Sequence, residues 1–252
     1  MPKNPNKPVA IVTAAGKGLG AACARELAAR GYRLVLQSPS GGATRLAKTL
    51  RGVGLKGSVS DPKHLKDVVA AAMDHYGRID AVLNNTGHVA GGGLSSRGPA
   101  YDPKARGKLL ELGDQEWQHG LDMIMLNVVR MSRLVTPIMR RQKGGVILNM
   151  SSFAGKEPSP AYPLGACMRM ALAGFTKLYS DRYGRDGIRM NNILPGFIEN
   201  WPMSAELKKT VPMGRSGTLA EVAKTAAFLL SSDSGYITGQ NIVIDGGLTR
   251  SP

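Results

Sequence analysis

Two cysteines among 252 residues, Cys23 and Cys167, are too few and too far apart for a disulfide framework or for metal-ligand spacing. They suit a reducing compartment. No apolar run approaches the roughly 18–20 residues needed to cross a bilayer. The opening MPKNPNKP is polar and proline-rich, with no apolar stretch behind a basic start, so it does not read as a secretory signal. These absences point to the cytoplasm and away from the membrane. Nothing resembles an interdomain linker, and a chain this long can bury a full core unaided. Residues 1–252 are therefore expected to form a single domain with a polar tail over 1–7. Acidic side chains are scarce: 18 Asp and Glu stand against 33 Lys and Arg, a formal net charge of +15. That excess is spread over predicted helices and one loop, with no basic block and no nucleic-acid motif. It argues for a solvated surface or an anionic small molecule, and against nucleic acid as the partner.

What the chain does have is alternation. Val9–Thr13 is a nearly continuous apolar run, as a strand buried on both faces requires. Apolar residues then recur at helical spacing over Leu19–Arg30 and stop at Gly31. Further strands are predicted at Arg33–Gln37, Lys56–Val59, Ala81–Asn84, Gly145–Met150, Ile188–Leu194 and Asn241–Ile244. Helices are predicted at Ala43–Leu50, from Asp61-Pro62 to Tyr76, at Trp117–Gln142 with a kink at Pro137, at Pro163–Tyr183, and from Thr218. Thr218 and Glu221 have the spacing of a capping box. Repeated βα alternation implies an α/β fold, a doubly wound parallel sheet with helices on both faces. His88–Gly113 stands apart as a long loop carrying Arg97, Lys104, Arg106 and Lys108. It follows the C-terminal end of a strand, where open α/β sheets bind ligands.

Thr13-Ala14-Ala15-Gly16-Lys17-Gly18-Leu19-Gly20 lies between the first strand and the first helix. Glycine at Gly18 lets backbone approach a pyrophosphate, and glycine at Gly20 allows close helix–strand packing. The helix start offers N–H groups and the positive end of its dipole to phosphates. A glycine cluster alone is a weak signal. Its place directly after a buried strand and at a helix start strengthens it.

The turn resembles the TGxxxGxG motif of the short-chain dehydrogenase/reductase family, with Ala14 in place of the first glycine. Asn84-Asn85-Thr86-Gly87 is similar to that family's NNAG motif. Asn191 with Pro195-Gly196-Phe197-Ile198 resembles its N-x-x-x-PG segment beside the nicotinamide. Ile237-Thr238-Gly239-Gln240 with Asp245-Gly246-Gly247 resembles its C-terminal signature. The four stretches span nearly the whole chain in the right order. The resemblance implies a Rossmann-type fold with cofactor contacts at Thr13, Ala15, Gly16, Lys17, Gly18, Leu19, Gly20, Ser38, Asn85, Thr86, Gly87, Arg169, Pro195, Gly196 and Ile198. It also implies a homotetramer joined through the two long helices, although Met123, Met125, Met131 and Leu134 fit an ordinary core equally well. NAD-preferring members are similar in an acidic residue at the end of the second strand; here that position is Ser38. Lys17 matches a basic residue of some NADP-dependent relatives, where a cation pairs with the 2′-phosphate. NADP(H) is therefore expected in preference to NAD(H), although Ser58 replaces the adenine-contacting aspartate.

The catalytic pattern implied by the resemblance is a serine, a tyrosine thirteen residues later, a lysine four after that, and an asparagine in the preceding long helix. Here those positions are Ser152, Gly165, Arg169 and Ile124. Tyr162 lies three residues before Gly165 but precedes Pro163, which biases it toward extended backbone outside the helix. Asn127 lies one helical turn beyond Ile124. Arg169 can still hydrogen-bond a ribose, yet its pKa is too high for a tuned proton shuttle. A positioned general acid is worth about 10²–10⁴-fold in rate. Tyr162, Tyr101, His88, Cys167 or bound water remain open as the donor, with Ser152, Arg169 and Tyr162 as the catalytic candidates. The expected activity is an oxidoreductase on a carbonyl or hydroxyl substrate, polar or anionic. A silent dinucleotide-binding sensor or assembly partner, and C=C reduction in an enlarged pocket, stay as alternatives.

Overall fold

The structure, a computed structural model, describes residues 7–86, 109–201 and 203–251. These hold seven strands: β1 (Val9–Val12), β2 (Arg33–Ser38), β3 (Val53–Lys56), β4 (Ala81–Asn84), β5 (Gly145–Met150), β6 (Ile188–Pro195) and β7 (Asn241–Ile244). Around them lie α1 (Gly18–Ala29), α2 (Gly42–Thr49), α3 (Pro62–Tyr76), α4 (Asp114–Gly120), α5 (Asn127–Arg141), α6 (Pro163–Tyr183), α7 (Ala205–Thr210) and α8 (Leu219–Leu229). All strand pairs are parallel, in the order β3-β2-β1-β4-β5-β6-β7. The chain winds outward from β1 to β3, returns beside β1 as β4, and winds out the other way. That reversal opens a crevice above the C-terminal ends of β1 and β4.

Each face of the sheet is covered. Leu27 of α1, Leu46 of α2 and Val222 of α8 pack on one side with Val12, Leu36 and Leu148. Leu65 and Val68 of α3, Met131 and Val135 of α5 and Tyr179 of α6 pack on the other with Ile11, Val35 and Ile147. Met131 is thus core, and Met123 and Leu134 pack against the same cluster. Every residue of β1 is fully buried, which accounts for its unbroken apolar run. Asp61 caps α3 by accepting from the Lys63 N–H at 2.8 Å, and Gly77 ends it in the left-handed conformation with φ +77°. The capping box of Thr218 and Glu221 starts α8. Among the described residues no helix is long and apolar enough to cross a membrane.

Three local expectations are corrected. The third strand is Val53–Lys56, earlier than the predicted Lys56–Val59. Gly52 and Gly54 look like turn residues, but a Cβ on Gly54 would lie 2.6 Å from Thr44 Cα, so glycine is what lets α2 approach the strand. Val59 lies beyond the strand and buries against α3 instead. The long helix starts at Asp114 and contains a π-helical turn over Leu121–Leu126 that was not expected. α5 runs on through Pro137, where Pro137 and Arg133 are both exposed. The short helix α7, capped by Ser204, was not anticipated. Most of the predicted His88–Gly113 loop lies outside the described residues.

One polar feature crosses the apolar sheet. Asn84, Asn149, Asn192 and Asn241 stand in register on β4, β5, β6 and β7. Asn84 Nδ2 donates to Asn149 Oδ1 at 2.9 Å, Asn149 Nδ2 to Asn192 Oδ1 at 2.9 Å, and Asn192 Nδ2 to Asn241 Oδ1 at 2.8 Å. Thr176 of α6 joins the row by donating to Asn192 Oδ1 at 2.9 Å. Buried amides need such partners, because an orphaned one bears its full desolvation cost. Asn149→Ala leaves Asn84 Nδ2 without its acceptor and takes one of two donors from Asn192 Oδ1, and is expected to destabilise the fold by about 2 kcal/mol. Urea denaturation measures this, and an unchanged midpoint would contradict it.

Candidate active site

The glycine-rich turn is welded to the end of β4. Thr13 N donates to Leu83 O at 3.0 Å, and Asn85 N donates to Thr13 Oγ1 at 2.9 Å. On the other side Ala15 N donates to Gln37 O at 2.8 Å and Ala14 N to Gln37 Oε1 at 3.2 Å. A Cβ on Gly20 would lie 2.5 Å from Ala14 O and collide with the Asn85 amide. Gly18 has φ +55°. Ala14 also sits in the left-handed region, at φ +46°, which costs an alanine about 1–2 kcal/mol. No side chain caps α1 and no acid lies in its first turn. Its leading N–H groups are therefore open to an anion at the strand ends.

Ser38 ends β2 against this turn. Its hydroxyl donates to Ser40 O at 2.6 Å, accepts from Ala43 N at 3.0 Å, and lies 3.0 Å from where a Cβ on Gly16 would be. Lys17, the N-cap of α1 and next in sequence to Gly16, is exposed. Two further residues were not found from the motifs. Arg45 of α2 brings a guanidinium nitrogen to 3.3 Å from the Cβ position of Gly41, over the β2–α2 turn. Asn200 brings Nδ2 to 3.1 Å from the Cβ position of Gly18. The only sequence signal for Arg45 was a cation shortly after an acid-free Ser38–Thr44 stretch. Ser58, in the adenine-side position, bonds Ser60 through their hydroxyls at 2.7 Å.

The remaining motifs lie along β6 and at both ends of β7, and after β4. Asn191 donates from Nδ2 to Ile237 O at 2.9 Å and accepts from Gln240 N at 3.0 Å, joining two of the sequence motifs. Pro195 and Ile198 are buried, and a Cβ on Gly196 would lie 2.7 Å from Asp245 Cβ. Thr86 donates to Met123 O at 2.9 Å, the carbonyl that also accepts from Asn127 Nδ2 at 2.6 Å. Asn127, read as a polar helix-face residue, is buried and serves the π-helical turn. Gly87 lies outside the described residues, as do His88 and Tyr101.

The proton-transfer positions look different. Ser152 starts a 3₁₀ turn over Phe153–Gly155, its hydroxyl accepting from Ala154 N at 3.3 Å. A Cβ on Gly165 would meet no described atom within 4 Å. Arg169, one turn further along α6, packs its Cβ 3.1 Å from the Cβ position of Gly155. Burial pushes its guanidinium down to about 10, which leaves it a cation at neutral pH. Tyr162 is the N-cap of α6, outside the helix at φ −138°, with a buried side chain. Ile124 is buried with Leu112 and Leu164, so apolar packing fills that position. Cys167 is exposed.

A family model described as enoyl-(acyl carrier protein) reductase matches residues 13–249. The chain belongs to the short-chain dehydrogenase/reductase family. It is 33% identical to the short-chain reductase protein NovJ of Streptomyces niveus, over 95% of this chain and 93% of that one. It is 30% identical to the 3-oxoacyl-[acyl-carrier-protein] reductase FabG of Escherichia coli, over 95% and 96%. It is 31% identical to the oxidoreductase UcpA of Salmonella typhimurium, over 95% and 94%. Family membership makes the chain an NAD(P)-dependent oxidoreductase.

Within this family member the strained alanine offers a direct check. Ala14→Gly removes the steric conflict and is expected to raise stability by about 1 kcal/mol, read as a higher denaturation midpoint. A lower midpoint would show that Ala14 is not strained.

Proposed function

We propose that the chain takes NADP(H) in preference to NAD(H) and reduces a carbonyl compound, or oxidises the matching alcohol, without the family tyrosine. The observation that carries this reading is the backbone cradle at Gly18–Gly20, closed to any side chain and free of acidic groups. When bound, the dinucleotide supplies or accepts the hydride at its nicotinamide. The leading N–H groups of α1 hold its diphosphate, with Thr13, Ala15, Gly16, Leu19, Asn85 and Thr86 lining the turn, and the Asn200 amide adds a donor from the facing loop. Lys17 and Arg45 flank Ser38 and pair with a 2′-phosphate, where an acidic residue would repel it. Pro195, Gly196 and Ile198 form the wall beside the nicotinamide.

At the reacting end Ser152 donates a hydrogen bond to the substrate oxygen and Arg169 holds the ribose. The Arg169 cation also favours a substrate that carries negative charge. Open space beside Gly165 admits a water or a substrate group that delivers the proton. Turnover is then slower than with a positioned acid by about 10²–10⁴-fold. A second reading, a dinucleotide-binding protein without turnover, is favoured by the apolar packing of Ile124, where the family has a polar relay. The two free cysteines suit a cytoplasmic setting. The groove between α5 and α6, with Phe175, Tyr179, Tyr183 and Pro137 on its walls and the exposed Leu178 on the same helix, is the proposed contact between subunits of a homotetramer.

Fluorescence titration is expected to give tighter binding of NADPH than of NADH, and Lys17→Glu to weaken NADPH binding by about tenfold while sparing NADH. No binding of either nucleotide would overturn the proposal. NADPH oxidation over a panel of carbonyl compounds should be slow in the natural protein and faster in the Gly165→Tyr/Arg169→Lys double variant. Activity confined to the double variant would favour the reading without turnover.

A further inference from the structure

The segment after β7 is tied down by two carboxylates. Asp245 accepts from Gly247 N and Thr249 N, each at 2.8 Å. Glu157, five residues after Ser152, accepts from Arg250 N, and from Ser251 N at 2.6 Å. The Ser251 N–H, with help from that of Arg250, holds the Glu157 carboxyl below the usual carboxylate range. Between these two anchors Leu248 packs into an apolar cluster with Phe153, Phe197, Leu207 and Val211. The rings of Phe153 and Phe197 lie 5.5 Å apart at 56°. Gly246 O accepts from Met213 N at 3.2 Å, and Asp245 packs against Gly196. Residues 245–251 therefore touch three segments at once: the one after Ser152, the one after Pro195, and the one that carries α7.

A segment without secondary structure of its own is mobile unless something holds it. Sheet pairing ends at Ile244, so the hold comes from these carboxylates, from Leu248 and from the Met213 N–H on Gly246 O. Asp245 bonds only to its own segment. Glu157 is the anchor that reaches across to the serine-bearing stretch. We propose that Glu157 is a positioning residue for the substrate side of the site: by latching the C-terminal strap over Leu248, it fixes Phe153 and Phe197 as one apolar wall flanking Ser152 and Pro195. That this side receives the substrate rests on the function proposed above; the latch itself does not.

Amide hydrogen exchange on the full chain, without nucleotide, tests the latch in the natural protein and in Glu157→Ala, Glu157→Gln and Arg250→Pro. In Glu157→Ala, exchange is expected to quicken by about tenfold or more over 246–251, and also over 153–157 and 203–213. Glu157→Gln keeps an acceptor oxygen and should stay within about threefold of the natural protein. Arg250→Pro removes one of the two donors while leaving Glu157 and the Ser251 N–H, and should give a smaller acceleration over the same residues. NADPH affinity, set at Gly18–Gly20, should change by less than about twofold in all three, reflecting sites that do not couple. Acceleration confined to 250–251 would overturn the proposal, as would a Gln variant as fast as the Ala variant. Faster exchange throughout β1 and β4 would also overturn it, by showing a general loss of stability. Loss of NADPH binding in the natural protein would instead sink the proposed function and leave the latch standing.

Discussion

The crevice exists because the chain comes within touching distance of itself at Gly20. The Ala14 carbonyl and the Asn85 side chain close on a helix position with no room for a single extra carbon. That contact sets α1 down on the strand ends at an angle that leaves its first amides unspent. It also draws β1 and β4 together through Thr13, at the point where the winding of the sheet reverses. Remove the contact and the motifs at Asn85, Pro195 and Ser38 would still be present, but they would no longer surround one volume. Left-handed backbone at Ala14 belongs to the same constraint, since local strain there is held by hydrogen bonds to Gln37 on the neighbouring strand.

Binding and proton transfer are separable tasks in this architecture. The glycine-rich turn presents backbone N–H groups, which side-chain substitution scarcely alters. The positions that carry proton transfer in the family fall on α6 and on the π-helical turn before α5. Gly165 has no side chain, Arg169 supplies fixed positive charge, and Ile124 brings apolar packing to the π-helical turn. Of these three positions one has no side chain, one is a cation at neutral pH and one is apolar, so none of them can relay a proton near neutrality.

Most of the architecture could be read from period and punctuation. Buried strands such as Val9–Val12 and helices with clear caps, as at Asp61 and Thr218, announce themselves through local chemistry. The third strand was misplaced because its glycines answer to α2, a partner invisible in the local pattern. The π-helical turn was missed for a related reason. Its stabilising groups, Thr86 and Asn127, lie far apart in sequence and meet only once β4 and α5 are assembled. The same holds at the site: motif residues were legible one by one, whereas Arg45, Asn200 and Glu157 gain meaning only from what folding brings next to them.

The row of asparagines has a consequence for how the strands find one another. Because successive side chains in a strand point to opposite faces, sliding β5 by one residue would turn Asn149 into the apolar layer opposite and strand the Asn84 amide. A purely aliphatic sheet would tolerate such a slip at far smaller penalty. The ladder thus acts as a spelling check on strand alignment at the middle of the sheet.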